Sequence, residues 1–257
     1  GSFGRSEEIQ EKGLTVEFGD TVKTIVGANL GFKNTNLKKV IFSRNTETIK
    51  GGSFRDCKDL EEINLPENLI TIEDEAFENC EGLKKIEIPE SVTTVKNNAF
   101  RGCTNVGKIV IHGNITNGAN IFTDVGTTAK DETGEALGLE AEFTEGVTVI
   151  GGNMFGRSVV KKIKFPSTLK EIGSSAFSEC MNLEQIDLPE SLEIVRQQAF
   201  NGCQKVSYLK INSDSCTYET STYNSTRPAE VFGSFGRSEE IQEKGLTVEF
   251  GDTVKTI

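Results

Sequence analysis

The feature that most constrains this chain is a spacing. Cys57, Cys80 and Cys103 stand 23 residues apart, and so do Cys180 and Cys203. Phe54, Phe77 and Phe100 keep the same step, as do Phe177 and Phe200. Pro66 and Pro89 repeat it, then Pro166 and Pro189. The apolar triplets Leu60-Ile63-Leu65, Leu83-Ile86-Ile88 and Val106-Ile109-Ile111 recur in phase. The second half answers with Val160-Ile163-Phe165, Leu183-Ile186-Leu188 and Val206-Leu209-Ile211. A fixed period of this size marks a repeat architecture, in which each unit buries one thin face against its neighbours.

Each letter of the unit has a mechanical reading. Ile63 and Leu65 alternate with Glu62 and Asn64, which predicts a half-buried strand. Pro66 follows, where its fixed φ and missing N–H end pairing and start a turn. Leu69 and Ile72 point inward from a second, shorter extended piece. Ala76-Phe77 and Cys80 have near-helical spacing, which predicts a short helical or 3-10 turn. Stacked units should form a parallel ladder with a step of ~4.8 Å. Counted by the Phe position, the units fall at Phe3, Leu30, Phe54, Phe77, Phe100, Phe122, Phe155, Phe177 and Phe200, with Phe235 starting a tenth. The expected fold is a single mainly β repeat solenoid over residues 1–257, with about nine to ten units. Two units are stretched, near 123–136 and near 212–232, and both stretches have the composition of loops.

The copies GLKKIEIPESVTTVKNNAFRGC and NLEQIDLPESLEIVRQQAFNGC closely resemble the BspA-type, or Treponema-type, leucine-rich repeat. The resemblance covers most of the chain, and five copies keep the Ala/Ser-Phe-x-x-Cys signature in phase. It implies a right-handed, curved leucine-rich-repeat horseshoe. It also implies bacterial or protozoan surface proteins, some of which bind host extracellular-matrix proteins or other microbes. The departures are the two insertions and the missing Cys around Leu30, Phe122 and Phe155, which bear on uniform curvature rather than on the fold.

Residues 1–25 recur letter for letter as 233–257, at an offset of 232. The expectation is a longer array of 232-residue modules; the alternative is an artefact. Neither end has the polar cap a solenoid needs, and exposed strand edges would favour end-to-end self-association.

Composition narrows the function. Asp+Glu number 39 against 28 Lys+Arg, a net charge of -11, which argues against a nucleic-acid partner. No run of ~18 apolar residues offers a transmembrane helix, and no signal-peptide pattern is present in this stretch. His112, the single histidine, has no second His and no nucleophile context and reads as a turn residue. Gly51-Gly52 and Gly151-Gly152 read as turn glycines, without a dinucleotide-binding context. The repeat cysteines are too far apart for a zinc motif and read as small buried hydrophobes, while Cys216 lies outside the repeat and is expected to be more exposed. The acids Asp131, Glu132 and Glu135 lack the alternation of a calcium loop. No catalytic residue, metal or cofactor is expected.

Two sets of residues are binding candidates. Lys39, Glu62, Lys85, Lys108, Lys162, Gln185 and Tyr208 occupy outward positions of successive first strands. Lys39, Glu62 and Lys85 should sit side by side, either as a structural charge ladder or as a polar ligand surface. Tyr208, Tyr218 and Tyr223 fall within one short stretch with Arg227. Tyr and Arg are common binding anchors; the alternative is a loop packed over the solenoid side. The leading reading is a non-catalytic cell-surface or secreted module that binds a protein or glycan, host extracellular matrix being implied by the resemblance. The alternative is a structural spacer built from tandem modules.

Overall fold

Each turn of the chain lays down one long strand, one short strand and one tight turn. The computed structural model describes residues 13–27, 31–219, 231–233, 238 and 245–252. The strands run β1 (Leu14–Glu17), β2 (Thr24–Ile25), β3 (Leu37–Ile41), β4 (Thr48–Ile49), β5 (Glu62–Asn64), β6 (Thr71–Ile72), β7 (Lys85–Ile88), β8 (Thr94–Val95) and β9 (Lys108–Ile111). They continue as β10 (Leu139–Phe143), β11 (Val149–Ile150), β12 (Val160–Lys164), β13 (Glu171–Ile172), β14 (Gln185–Leu188), β15 (Ile194–Val195), β16 (Tyr208–Ile211), β17 (Thr217–Tyr218) and β18 (Thr247–Phe250).

Among the described residues every pairing between these strands is parallel, and an isolated antiparallel bridge joins Lys130 and Ala136. The long strands form three consecutive sheets, β1-β3-β5, β7-β9-β10-β12 and β14-β16-β18. The short strands form β2-β4-β6-β8 and β11-β13-β15-β17 on a second side. Ile115 continues that side with a parallel bridge to Ile150. The proline turns link the two sides: the carbonyl of Pro66 accepts from Leu69 N–H at 3.0 Å, and Pro89 serves Val92 in the same way at 3.1 Å. Proline keeps its acceptor although it has lost its donor.

The third side corrects one expectation. Among the described residues there is no helix. The Ala-Phe-x-x-Cys stretch is a turn with left-handed residues on both flanks of the Phe. Glu75 and Asn79 flank Phe77 at φ 57° and 59°, and Ser175 and Glu179 flank Phe177 at 55° and 58°. A right-handed helix cannot pass through such residues. The near-helical spacing comes instead from one local bond, Cys80 N–H to Phe77 C=O at 3.3 Å. Backbone bonds between units then run along this side, Phe54 to Ala76 and Phe77 to Ala99, each 2.8 Å.

The core is a column of stacked rings. Phe32, Phe54, Phe77, Phe100, Phe122, Phe155, Phe177, Phe200 and Phe232 follow one another at centroid distances from 4.8 to 5.9 Å. Phe32 and Phe232 therefore hold the ring position at the two ends; Phe3, Leu30 and Phe235 lie outside the described residues. The buried thiols sit beside this column. Cys80 Sγ donates to the Phe54 carbonyl at 3.1 Å, and Cys103, Cys180 and Cys203 reach the preceding unit's Phe carbonyl in the same way. Cys57 Sγ donates to Phe32 C=O at 3.0 Å, and Thr35, which stands at the Cys position of the Phe32 unit, donates to that same carbonyl at 2.7 Å. The position takes a small side chain: Cys donates to a buried carbonyl there, while the apolar Val125 is fully buried at the same place.

Candidate functional site

The long strands turn every second side chain outward, as the exposed–buried alternation of Lys85-Ile86-Glu87-Ile88 shows. Parallel in-register pairing carries these positions into two rows. In the first, Lys39 stands opposite Glu62, Lys85 opposite Lys108, Glu140 opposite both Lys108 and Lys162, and Gln185 opposite Tyr208. In the second, Glu87 faces Val110, Glu142 faces Val110 and Lys164, and Asp187 faces Lys210.

The charges pair across and along these rows. Lys39 lies 3.7 Å from Glu62, as expected. Lys85 does not continue that pair: β5 and β7 belong to different sheets, and its ammonium turns along its own strand to Glu87. Glu142 binds Lys108 and Lys164, each at 2.7 Å, and these hydrogen bonds hold its carboxyl at about 2. Hydrogen bonds from Lys85 and His112 hold Glu87 below the usual carboxylate range. Tyr208 donates to Glu249 at 2.7 Å, and that bond raises its phenol.

Where the sheet breaks between β5 and β7, the face opens into a groove of about 990 Å³. Glu62, Asn64, Glu67, Lys85, Glu87 and His112 are among its walls. His112 occupies the place that Pro89 holds one unit earlier, which puts an imidazole at the strand end. Its Nε2 lies 2.9 Å from Glu87 Oε1 and its Nδ1 lies 3.1 Å from Thr144 Oγ1. Sequence reasoning placed Glu87 beside Lys85 on this face but missed Glu140, Glu142 and His112 as members of it. The signal was present: Leu139-Glu140-Ala141-Glu142-Phe143 alternates as a strand does.

The tyrosines do not form one patch among the described residues. Tyr208 stands in the first row, whereas the half-buried Tyr218 packs against the core, its ring 5.6 Å from that of Phe232. Tyr223 and Arg227 lie outside the described residues. Cys216 is half-buried rather than open. Burial pushes the Cys80 thiol well up and that of Cys103 to about 12, so these thiols are poor nucleophiles at neutral pH. The buried Glu78 carboxylate is matched by Arg55 at 2.9 Å and Arg101 at 3.7 Å, on the turn side. Among the described residues no group of three His, Cys, Asp or Glu side chains is placed to hold a metal ion, and no helix is long and apolar enough to cross a membrane.

The chain matches the family model of the BspA type leucine rich repeat region in six copies, over residues 24–128 and 139–243. Among solved structures it is similar to a leucine-rich repeat protein of Eubacterium ventriosum, at 17% identity and TM-score 0.50, covering 83% of this chain and 68% of that one. It is also similar to a leucine rich cell surface protein of Faecalibacterium prausnitzii, at 21% identity and TM-score 0.36, covering 95% and 83%. A third is the pneumococcal vaccine antigen PcpA, at 18% identity and TM-score 0.37, covering 95% and 79%. No curated protein matches. The stacked Phe column, the Phe-x-x-Cys turns and the family match agree: the chain belongs to the BspA-type leucine-rich repeat family.

Proposed function

We propose that this chain is a non-catalytic module, on a cell surface or secreted, that binds a protein or glycan partner through its long-strand face. One observation carries the reading: the face is interrupted at β5–β7 by a groove whose polar walls include Glu62, Lys85, Glu87 and His112. Polar groups converging on a concavity are what recognition of a polar partner needs. Family membership supports the surface or secreted location. The non-catalytic reading is supported by thiols raised through burial.

The test is binding of the purified chain to an array of matrix proteins and glycans, beside the Lys85→Ala/His112→Ala variant. Saturable binding that weakens at least about tenfold in a folded variant supports the groove (about 1.4 kcal/mol). Unchanged binding moves the recognition surface elsewhere, to Gln185 and Tyr208 or to the tyrosine segment with Tyr223 and Arg227.

A second reading, a spacer of tandem 232-residue modules, has its own support. The duplicated segment forms a strand of the long ladder in both of its copies, as β1 and as β18. Adding modules would then extend one ladder without altering any face. Intact mass of the native protein tests it: a protein with a single module sinks the spacer.

A further inference from the structure

The long-strand side is open at one place in mid-chain. β5 pairs with β3 and β7 pairs with β9, but β5 and β7 share no sheet. Just before the strands, Glu61 N–H donates to Lys38 C=O and Gly107 N–H to Lys84 C=O, each at 3.0 Å. Even the break between β12 and β14 keeps Glu184 N–H on Lys161 C=O at 3.3 Å. Among the described residues, the equivalent bond from Lys84 N–H to Glu61 C=O is absent. At the far end of the strand, His112 N–H donates to Ile88 C=O at 3.0 Å. One unit earlier the donor's place is held by Pro89, which has no N–H to offer Leu65 C=O. β5 and β7 therefore each turn an unpaired edge to the groove.

The gap reaches the aliphatic interior. Ile63 and Leu65, the inward residues of their unit, line the groove. Leu65 is half-buried, whereas Ile88 and Ile111 at the same position of the next two units are buried. Behind the groove the same two units are closed. Phe54 and Phe77 stack at 5.2 Å, Phe54 N–H donates to Ala76 C=O at 2.8 Å, and β6 pairs with both β4 and β8. The opening is thus a slot in one side of a continuous solenoid. No Phe or Tyr stands among its walls; what it offers is strand edge and an aliphatic floor.

We infer that this slot docks an extended segment of a protein partner, which adds its main chain to the open strand edges and lays an apolar side chain on Ile63 and Leu65. Unpaired N–H and C=O groups along a strand are a template for another chain. Strand addition draws affinity from the main chain and specificity from alternate side chains. The inward side chain of the segment is apolar, to match the floor. Its outward neighbours are polar, because they meet Glu62, Lys85 and Glu87 at the walls. Glu87 already holds Lys85 and His112, so the attraction is the backbone and the floor rather than net charge. The inference rests on the groove reading above and narrows its partner from a protein or glycan to an extended polypeptide.

The probe is a synthetic peptide of alternating Val and Thr with a Lys at each end, titrated against the full chain by fluorescence anisotropy. Saturable binding is expected. Two N-methylated forms of the peptide, one for each set of alternate amides, then test the main chain. At least one form should bind at least about tenfold more weakly, because its donors to the strand edge are gone. Leu65→Asp should weaken binding at least about tenfold by charging the floor. Leu137→Asp, at an exposed side chain outside the groove, should leave it unchanged. Where Leu65→Asp does not fold, the N-methylated peptides still decide, since they leave the protein untouched. No saturable binding, equal binding of both N-methylated forms and the parent peptide, or no loss in a folded Leu65→Asp chain would overturn the inference. So would an array ligand that Lys85→Ala/His112→Ala weakens but the peptide fails to displace; the groove reading would then stand without the strand.

Discussion

The inside and the outside of the same long strands follow different rules. Inward, Ile63, Ile86 and Ile109 repeat in step, and behind them Phe54, Phe77 and Phe100 stack at 5.2 and 5.1 Å. Outward, one residue along, the series reads Glu62, Lys85, Lys108, Glu140 and Lys162, with no period in charge. The difference has a physical origin. A ring in the column meets an equivalent ring above and below, so only one shape fits every unit. An outward side chain meets water on one side and pairs with whatever charge is near. The interior is therefore bound to the repeat and the face is free to vary, which is why recognition is sought on the face.

Truncating one residue on each side puts this difference under the greatest load. Phe77→Ala, which removes one fully buried ring from the column, should destabilise by about 3–5 kcal/mol. Lys85→Ala, eight residues later on the face, should stay within about 0.5 kcal/mol. Urea unfolding of both variants checks it, and a Phe77→Ala cost below about 1 kcal/mol would mean the column is not what holds the turns together.

Backbone geometry gives the next largest effect. Gly118 lies where a short unit passes from β9 towards Phe122, at φ 98°, and a Cβ there would stand 2.0 Å from Val95 C=O. Gly134 has a similar φ of 87° and open space around it. Both replacements by Ala meet the left-handed penalty, but only the first also collides with backbone. Gly134→Ala should cost about 1 kcal/mol and Gly118→Ala clearly more, at least about 2 kcal/mol. Equal melting temperatures for the two variants would show that the turn at Gly118 yields.

How much of this could be read from the letters follows the same divide. The fold was legible because Cys, Phe and Pro recur at one step. The helical turn was misread because spacing alone does not reveal backbone handedness: Glu75 and Ser175 carry no sign of a left-handed φ. The ring position at the ends was misplaced onto Leu30 and Phe235, because the units there depart from the motif while Phe32 and Phe232 still stack. The outward rows were legible as positions, but not the break between β5 and β7 that sends Lys85 to Glu87. Nor did order along the chain show that Tyr208 and Tyr218 stand on different sides of the solenoid, in the long and short ladders.

Electrostatics should produce smaller effects, and acid separates them. Glu142, held at about 2 by Lys108 and Lys164, has a depressed carboxyl in the folded state. Its contribution is complete above the unfolded value near 4.5 and is lost as pH falls towards 2. Glu142→Gln should therefore lower stability at pH 7 by up to about 1 kcal/mol, since the group is partly exposed. The deficit should shrink between pH 4.5 and 2 and fall further in ~1 M salt. A deficit that persists at the acid end would mean that Glu142 acts through packing and not through its charge.

The smallest effect belongs to the pair that sequence reasoning anticipated. Lys39 and Glu62 lie 3.7 Å apart with side chains 46% and 58% exposed, so water competes for both. A double-mutant cycle with Lys39→Ala and Glu62→Ala should give a coupling of at most about 0.5 kcal/mol. The same cycle at Lys108 and Glu142, 2.7 Å apart, should give the larger value. If the ranking holds, charge pairing on this face is too weak at Glu62 to be its reason for being there, and the groove it lines gains weight as the explanation. If Lys39 and Glu62 couple more strongly than Lys108 and Glu142, the charges are there to hold neighbouring strands in register, and the groove loses its claim on Glu62.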